Sequence, residues 1–537
     1  MRSGLVTCLL ILTNALVFGQ ATMSWVLVDS MANAFGAASN AVRPLSYDPI
    51  SDVMTLIHRA HYAYGVGSGQ PWWNRSISGG TTWTRVGELC SPGVEVRYPT
   101  ATIWNPHGGT EPGIVLAAGH IDFPTGGCVL FGLSTITPGI CWTECTGSWW
   151  TPTLWAGPDS AALFWAQRLS PPSQAYYLWC PSFAGVPPTW TSGNFQSMGL
   201  NIGGAHRNGI SYFSVWGVFS SPDPVVPDGN IGYSKSTDNG LTWSSWNRPQ
   251  PDWRITNIGP FVWWEYGGPG LYSFDFLVDA NNRSHFFGVV EDSTTLERGI
   301  VEIYESTTGW GGNVVTLDLK ESTNLTYGMI NQMGNHLNAA ISQDGTEMGL
   351  VWLDANAQGD SLPDIWFSHR SINGNWSPPE NLTQTPGYAE LLLHAAPTLM
   401  TGSASQVIIL GHCYEAGTTL YPPDETSPTN FYVGTHTFPI VSVPEDGELP
   451  QAFRLEPNYP NPFNPATSIS YELPDASNVS LKVFDVLGRE VATLENEMKA
   501  PGRHTVSWDA SDRASGVYFY KLVAGWHKST KKMLLMK

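Results

Sequence analysis

Ile231-Gly-Tyr233-Ser-Lys-Ser236-Thr-Asp238-Asn-Gly240-Leu-Thr242-Trp243 carries the structural plan of most of this chain. An alternating strand runs into a tight polar turn, and a tryptophan stands on the returning strand. Asn239-Gly240 tolerates the positive φ that a tight hairpin needs. The Asp238 carboxylate accepts N–H bonds within its own turn. Trp243 then offers a broad apolar face for packing between sheets. Trp73 to Trp83 overlays this segment at a constant offset, matching Ser76, Gly80, Thr82 and Trp83. Asp364 to Trp376 overlays it up to Gly374 and reaches its tryptophan one residue early. Weaker copies end at Trp142, Trp190 and Trp310.

The six closing tryptophans are spaced at roughly 50 to 65 residues, which suits four short strands and their turns per unit. The expected fold is therefore all-β: a six- or seven-bladed β-propeller followed by a small Ig-like antiparallel β-sandwich. Strands that open a unit begin near Arg43-Pro44, Arg97, Ser160, His206, Leu271, His336 and His394-Ala-Ala-Pro397, a count of seven. Seven blades are favoured over six. The last unit ends near Val443 without a turn-and-tryptophan, and Trp25-Val-Leu-Val supplies the strand it lacks. That pairing closes the ring and removes an exposed edge.

Composition agrees. Charged residues are 13% and aromatics 12%, with 55 Gly and 40 Pro, which suits short strands and many turns and opposes disorder. Residues 1–449 carry 15 Lys+Arg against 36 Asp+Glu, and residues 450–537 carry 11 against 9. The acidic region has no basic stripe to meet phosphates, so nucleic acid is not an expected partner. Arg2, the apolar run Leu5 to Phe18 and Val17-Phe18-Gly19 before Gln20 read as a signal peptide over 1–19. No later stretch is apolar enough to span a bilayer, so no transmembrane segment is expected in the mature chain. Cys90, Cys128, Cys141, Cys145, Cys180 and Cys413 remain after cleavage. In an oxidising compartment they are expected to form at least one disulfide, with the pairing open.

From about Leu449 the chain changes character. After a linker over 446–456, Tyr459-Pro-Asn-Pro-Phe463-Asn-Pro465 is a proline-spaced entry that excludes helix. Strands are expected at Thr467–Leu473, Val479–Val486, His504–Asp509 and Gly516–Leu522, with turns at Leu487-Gly488-Arg489 and Ala500-Pro-Gly502. The domains are then a propeller over 20–445 and a C-terminal unit over 457–537.

Three resemblances add to this. Ser236-x-Asp238-x-Gly240-x-Thr242-Trp243 resembles the Asp-box, or BNR repeat, of sialidase-like propellers, and Ser76 to Trp83 is similar with Ser78 in place of the Asp. Arg97-Tyr98-Pro99 followed by Ile114 to His120 resembles the sialidase opening, which implies Arg97 as receptor for a substrate carboxylate and Asp122 as acid/base carboxylate. Ala118, Gly119 and His120 stand where that family has its Glu and Arg. The third covers the C-terminal unit in order: Tyr459 to Thr467, Ser470 to Pro474, Val483 to Glu490, Ser515 to Lys521 and Lys531 to Leu535 resemble the type A sorting domain of the type IX secretion system. It implies a Gram-negative cell, the type IX machinery as partner, and a protein that is secreted across the outer membrane to the surface or the medium.

Two further patterns remain. Asp354-x-Asn356-x-Gln358-Gly359-Asp360 has the oxygen-ligand rhythm of a calcium loop but lacks the closing Glu, and a plain turn is the favoured reading over a calcium site. No other cofactor is expected. Trp72-Trp73, Trp149-Trp150 and Trp263-Trp264 are tandem pairs whose members point to opposite sides of a strand, so one of each is a candidate to stack on a sugar. The leading expectation is a surface or released propeller that binds an extracellular ligand, carbohydrate or protein. A divergent sialidase-like glycoside hydrolase is the alternative, and a structural or adhesive surface protein is the second.

Overall fold

The computed structural model describes residues 23–31, 43–60, 69–88, 97–105, 114–121, 128–134, 140–144, 153–156, 161–167, 174–180, 191–195, 201–216, 231–238, 242–247, 261–263, 274–292, 298–306, 309–319, 335–355, 362–385, 387–402, 405–416, 429–440, 453–473, 477–499, 502–511, 513–524 and 527–537. From 114 to 202 it describes backbone alone. The expected signal peptide, most of the linker, Asp122, Gly240, Asn356 and Asp360 lie outside the described residues, as do all cysteine side chains.

The described residues form strands and turns with no helix. Ahead of residue 440 they make seven antiparallel sheets. The first holds Leu45–Asp48, Val53–Arg59, Pro71–Ser76 and Thr84–Glu88. The second runs from Arg97–Trp104 to Ile140–Glu144, and the third from Thr153–Ala156 to Thr191–Phe195. The fourth contains Asn201–Arg207, Ile210–Trp216 and Ile231–Ser236. In the fifth, Phe274–Val278 leads to Ser284–Asp292, Arg298–Ser306 and Gly309–Leu319. The sixth consists of Asn338–Ile341, Glu347–Ala355, Pro363–Ser371 and Glu380–Asn381. The seventh joins Tyr388–Ala395, Ser405–Ala416 and Thr429–Pro439 to a strand from the far end of the chain, Trp25–Met31. First strands of successive sheets are neighbours throughout, and Tyr388–Ala395 of the seventh lies beside Leu45–Asp48 of the first.

Burial explains why these strands read poorly as alternating. In Glu347–Ala355 every residue is buried. Met348, Leu350 and Trp352 join one core with Leu277, Phe287, Val289 and Ile300 of the fifth sheet. Val351 and Leu353 join another with Ile408, Leu410 and Phe438 of the seventh. A strand covered on both faces needs apolar residues on both, so period-2 contrast disappears.

Turn chemistry follows the sequence expectation. Asp238 accepts from Ser236 Oγ at 2.7 Å, Thr242 N at 2.9 Å and Thr242 Oγ1 at 2.5 Å, which holds its carboxyl down at about 2. Ser78 takes the same place in the other copy, 2.9 Å from Thr82 N and 2.7 Å from Thr82 Oγ1. Ser342-x-Asp344-Gly345-Thr346 is a further turn of this chemistry that the tryptophan-based search missed, because no tryptophan closes it. The tryptophans reach the sheet before their own. Trp310 of the fifth sheet packs on Tyr233 of the fourth, and Trp376 of the sixth meets Phe287 edge-on and donates to Glu302 of the fifth at 2.9 Å.

Trp25–Met31 is held by pairing and by charge. Trp25 lies opposite Gly434, where a Cβ would stand 2.6 Å from the indole, so only glycine lets the ring lie flat on the neighbouring strand. Asp29 is buried and reaches across to the first sheet. It accepts from the Arg85 guanidinium (Nε at 2.7 Å) and from Asn74 Nδ2 at 3.0 Å, with His58 Nε2 at 3.3 Å. Burial pushes its carboxyl up, but His58 and Arg85 outweigh this and hold it far below the usual range.

The C-terminal unit has two sheets, Arg454–Leu455, Ala466–Leu473 and Gly502–Asp509 in one and Glu490–Lys499, Ser477–Phe484, Gly516–Ala524 and His527–Leu535 in the other. They share one core, with Ile469, Tyr471 and Trp508 facing Leu481, Val483, Tyr520 and Met533. Three of these strands were not expected: Arg454–Leu455, Glu490–Lys499 and His527–Leu535. Glu490–Lys499 pairs through two register shifts, and His527–Leu535 begins with six residues that are at least partly solvated, so neither reads in sequence as an apolar-polar alternation. Val486, expected at a strand end, is instead 65% exposed in the turn that Asp485 and Gly488 build. Strand pairing begins at Arg454, inside the span read as linker.

Removing the Asp29 carboxylate leaves Asn74 Nδ2 buried without its acceptor and takes the counter-charge from Arg85, while His58 Nε2 keeps Asn74 Oδ1 at 2.9 Å. Asp29→Ala is expected to cost about 2–4 kcal/mol, the lower end reflecting the partial exposure of Arg85. Chemical denaturation of the mature chain measures it, and a cost under about 0.5 kcal/mol contradicts this account.

Candidate functional site

Antiparallel order sends successive connections to opposite ends of each sheet. At the end where first strands finish, the links are short: Asn208-Gly209, Asp279 to Arg283, and Ser342 to Thr346, along with the Ser76 and Ser236 turns. At the end where first strands begin, the chain is longer: Arg59 to Pro71, Trp216 to Ile231, Leu319 to Asn338 and Ala416 to Thr429. Spare chain therefore collects at one end, which marks it as the candidate functional face.

At the centre of that face the first strands bring together residues from four sheets. Arg43, just ahead of Leu45–Asp48, places Nη2 against both oxygens of Asp275 in the fifth sheet and Nη1 2.7 Å from Asn338 Oδ1 in the sixth. Its backbone N donates to Thr100 Oγ1 of the second at 3.0 Å, and its carbonyl accepts from Ala101 N. Asp275 also accepts from Phe276 N at 2.7 Å and Ala339 N at 2.5 Å. Asn338 Nδ2 donates to the carbonyls of His336 and Leu393, each at 3.1 Å. Arg43 and Asp275 keep side-chain exposures of only 13% and 9%. The guanidinium is neutralised by Asp275 and bonded to Asn338, so among the described residues this centre ties sheets together.

Two buried titratable groups flank it. His336 is fully buried at φ +44°, beside the His394 ring at 6.3 Å, and burial pushes its imidazole down to about 4. Glu390, in the first strand of the seventh sheet, is fully buried. Its Oε1 accepts from Thr385 Oγ1 at 2.6 Å, and Oε2 has no hydrogen-bond partner among the described residues. Burial, helped by the nearby Asp364 carboxylate, raises Glu390 well above the usual range. Asp364 itself accepts from Asn381 Nδ2 at 2.7 Å and from Thr385.

The candidate residues named from sequence fall differently. Arg97 opens the second sheet and pairs with His120, its side chain outside the described set, so no geometry joins it to Asp122. Arg43 occupies the centre instead. Val42-Arg43-Pro44 is similar to the Arg97-Tyr98-Pro99 opening without its middle residue, and that partial repetition was the available signal. Asp354 lies opposite Asp364 across a strand pair and accepts from Ala355 N. Among the described residues no three His, Cys, Asp or Glu are placed to hold a metal ion. Of the tandem tryptophans, Trp73 is 2% exposed and Trp72 lies half-buried beneath the Arg85 guanidinium, so this pair offers no open stacking platform.

Two outcomes test this geometry. Arg43→Ala leaves Asp275 buried and unpaired and is expected to cost about 3–5 kcal/mol by thermal or chemical denaturation. His336→Asn keeps a residue that tolerates positive φ and removes the titration. A histidine whose folded value is depressed contributes stability above its unfolded value near 6.5, and loses it as pH falls toward 4. The variant should therefore lose less stability than the parent between pH 7 and pH 4. Equal pH slopes contradict the burial of a neutral imidazole.

Residues 458–536 match the secretion system C-terminal sorting domain. The protein is thus exported by type IX secretion to the cell surface or extracellular space. No curated protein matches its sequence. Among solved structures, a protein of unknown function from Dyadobacter fermentans overlays 76% of this chain and 97% of its own at 10% identity and a TM-score of 0.39. An α-L-arabinofuranosidase from Fusarium graminearum overlays 64% of this chain and 98% of its own at 12% identity and 0.34. The endosialidase of phage phi92 overlays 88% and 74% at 10% identity and 0.34. Overlaps this loose assign no activity.

Proposed function

We propose that residues 20–445 form a seven-bladed β-propeller, and that its face of long connections binds an extracellular ligand, carbohydrate or protein, once the C-terminal tag has exported it. Support for the ring comes from the cyclic order of first strands and from the shared sheet of Trp25–Met31 and Thr429–Pro439. The Ser236–Trp243 and Ser76–Trp83 turns are assigned to the Asp-box type on their matching hydrogen bonds. One observation carries the binding reading: long connections gather at one end around a centre whose only described guanidinium is already neutralised by Asp275. Specificity then belongs to the connections and not to the axis, and no cofactor is called for.

A glycoside hydrolase of the sialidase-like kind is the second reading, favoured by the buried Glu390 carboxyl, raised well above the usual range, near Asp364. Its complete burial supports a structural acid in the first reading.

The mature chain should bind members of a glycan array or an extracellular-matrix protein panel and leave fluorogenic glycosides, sialosides included, intact. Turnover that Glu390→Gln abolishes, in protein that remains folded, replaces the first reading with the second. Neither binding nor turnover contradicts both and leaves a structural role.

A further inference from the structure

The outer face of the four-stranded sheet in the sorting domain has an unusual make-up. Seven of the nine lysines of the chain lie after residue 449. Cross-strand register puts four of them on one surface. Lys482 is directly opposite Lys521, Val523 opposite Lys528, and Phe519 opposite Lys532. Phe484 and Phe519 form a pair bordered by these lysines, with Glu490 opposite Phe484 on its other side. The inward neighbours Leu481, Val483, Tyr520 and Leu522 fill the core, which fixes the opposite face as outward. Lys521, Lys528 and Lys532 are exposed, and among the described residues none of the three has an ion-pair partner. Lys482 alone has one, Glu490 at 3.0 Å.

Folding does not account for this arrangement. Like charges directly opposite each other on a sheet are destabilising, and a half-buried aromatic pair on a solvent face gains little for the domain alone. An apolar centre within a charged rim is the make-up of a protein interface. The propeller region is itself strongly acidic, so the basic face is a property of the tag and not of the chain at large.

We propose that this face, Phe484 and Phe519 bordered by Lys482, Lys521, Lys528 and Lys532, docks on an acidic protein surface of the export machinery. The proposal rests on the assignment of the C-terminal unit as a sorting domain. Charge complementarity selects the partner: lysines speed encounter with an acidic patch and exclude basic ones, while the aromatic pair gives the contact its buried centre.

The test follows the full chain in a cell with a type IX route. Truncation after residue 449 first checks the tag itself. If the truncated protein is still exported, the sorting assignment fails, and this proposal with it. Given a working tag, a Lys521→Glu/Lys528→Glu/Lys532→Glu variant should lower the exported fraction by about tenfold, and the matching Lys→Arg variant should restore it. All three positions are exposed, and an unchanged melting temperature separates docking from misfolding. Normal export of the Glu variant overturns the proposal. Phosphatidylglycerol vesicles that bind the purified parent chain and not the Glu variant overturn it too, in favour of an anionic lipid surface.

Discussion

A buried carboxylate on the first described strand joins the two ends of a long chain. Asp29 sits in the seventh sheet and accepts hydrogen bonds from the first, where Arg85, His58 and Asn74 converge on it. The other sheets can gain contacts from neighbours near in sequence. The last pairing cannot, because Trp25–Met31 must find Thr429–Gly434 across almost all of the chain that precedes the C-terminal unit. Closing so long a loop carries a large entropic cost, which local pairing alone would offset poorly. Gly434 removes the steric obstacle for Trp25, and Asp29 adds a charged contact that only one register satisfies.

Charge is used the same way elsewhere. Glu302, fully buried in the fifth sheet, is held by Arg370 and Trp376 of the sixth as well as by His285 and Asn313 of its own. Arg43, Asp275 and Asn338 do this at the centre. These polar contacts have strict geometry, which large flat apolar faces lack, so they fix the angle between sheets that hydrophobic burial only presses together.

The turn chemistry was legible because it is local: Ser76, Ser78 and Thr82 reproduce the bonds of Ser236, Asp238 and Thr242 even though one carboxylate is replaced by a hydroxyl. The closing role of Trp25 was legible by default, since a strand with a tryptophan and no earlier partner needs an edge. Arg43 was not. Its partners Asp275 and Asn338 lie far along the chain, and nothing in Val-Arg-Pro distinguishes a paired guanidinium from a free one. Glu347–Ala355 was obscure for another reason, since burial on both faces erases the alternation that marks a strand. In the tag, motifs identified the domain, while the bulged Glu490–Lys499 and the lysine-rich His527–Leu535 hid as polar chain.

Native-state hydrogen exchange on the mature chain, followed at the amides of Trp25 to Met31, tests the closing strand most directly. The account predicts protection that matches Thr429 to Gly434 and is lost only with global unfolding. Exchange at the rate of a free terminus, while the sheet it joins stays protected, would contradict it.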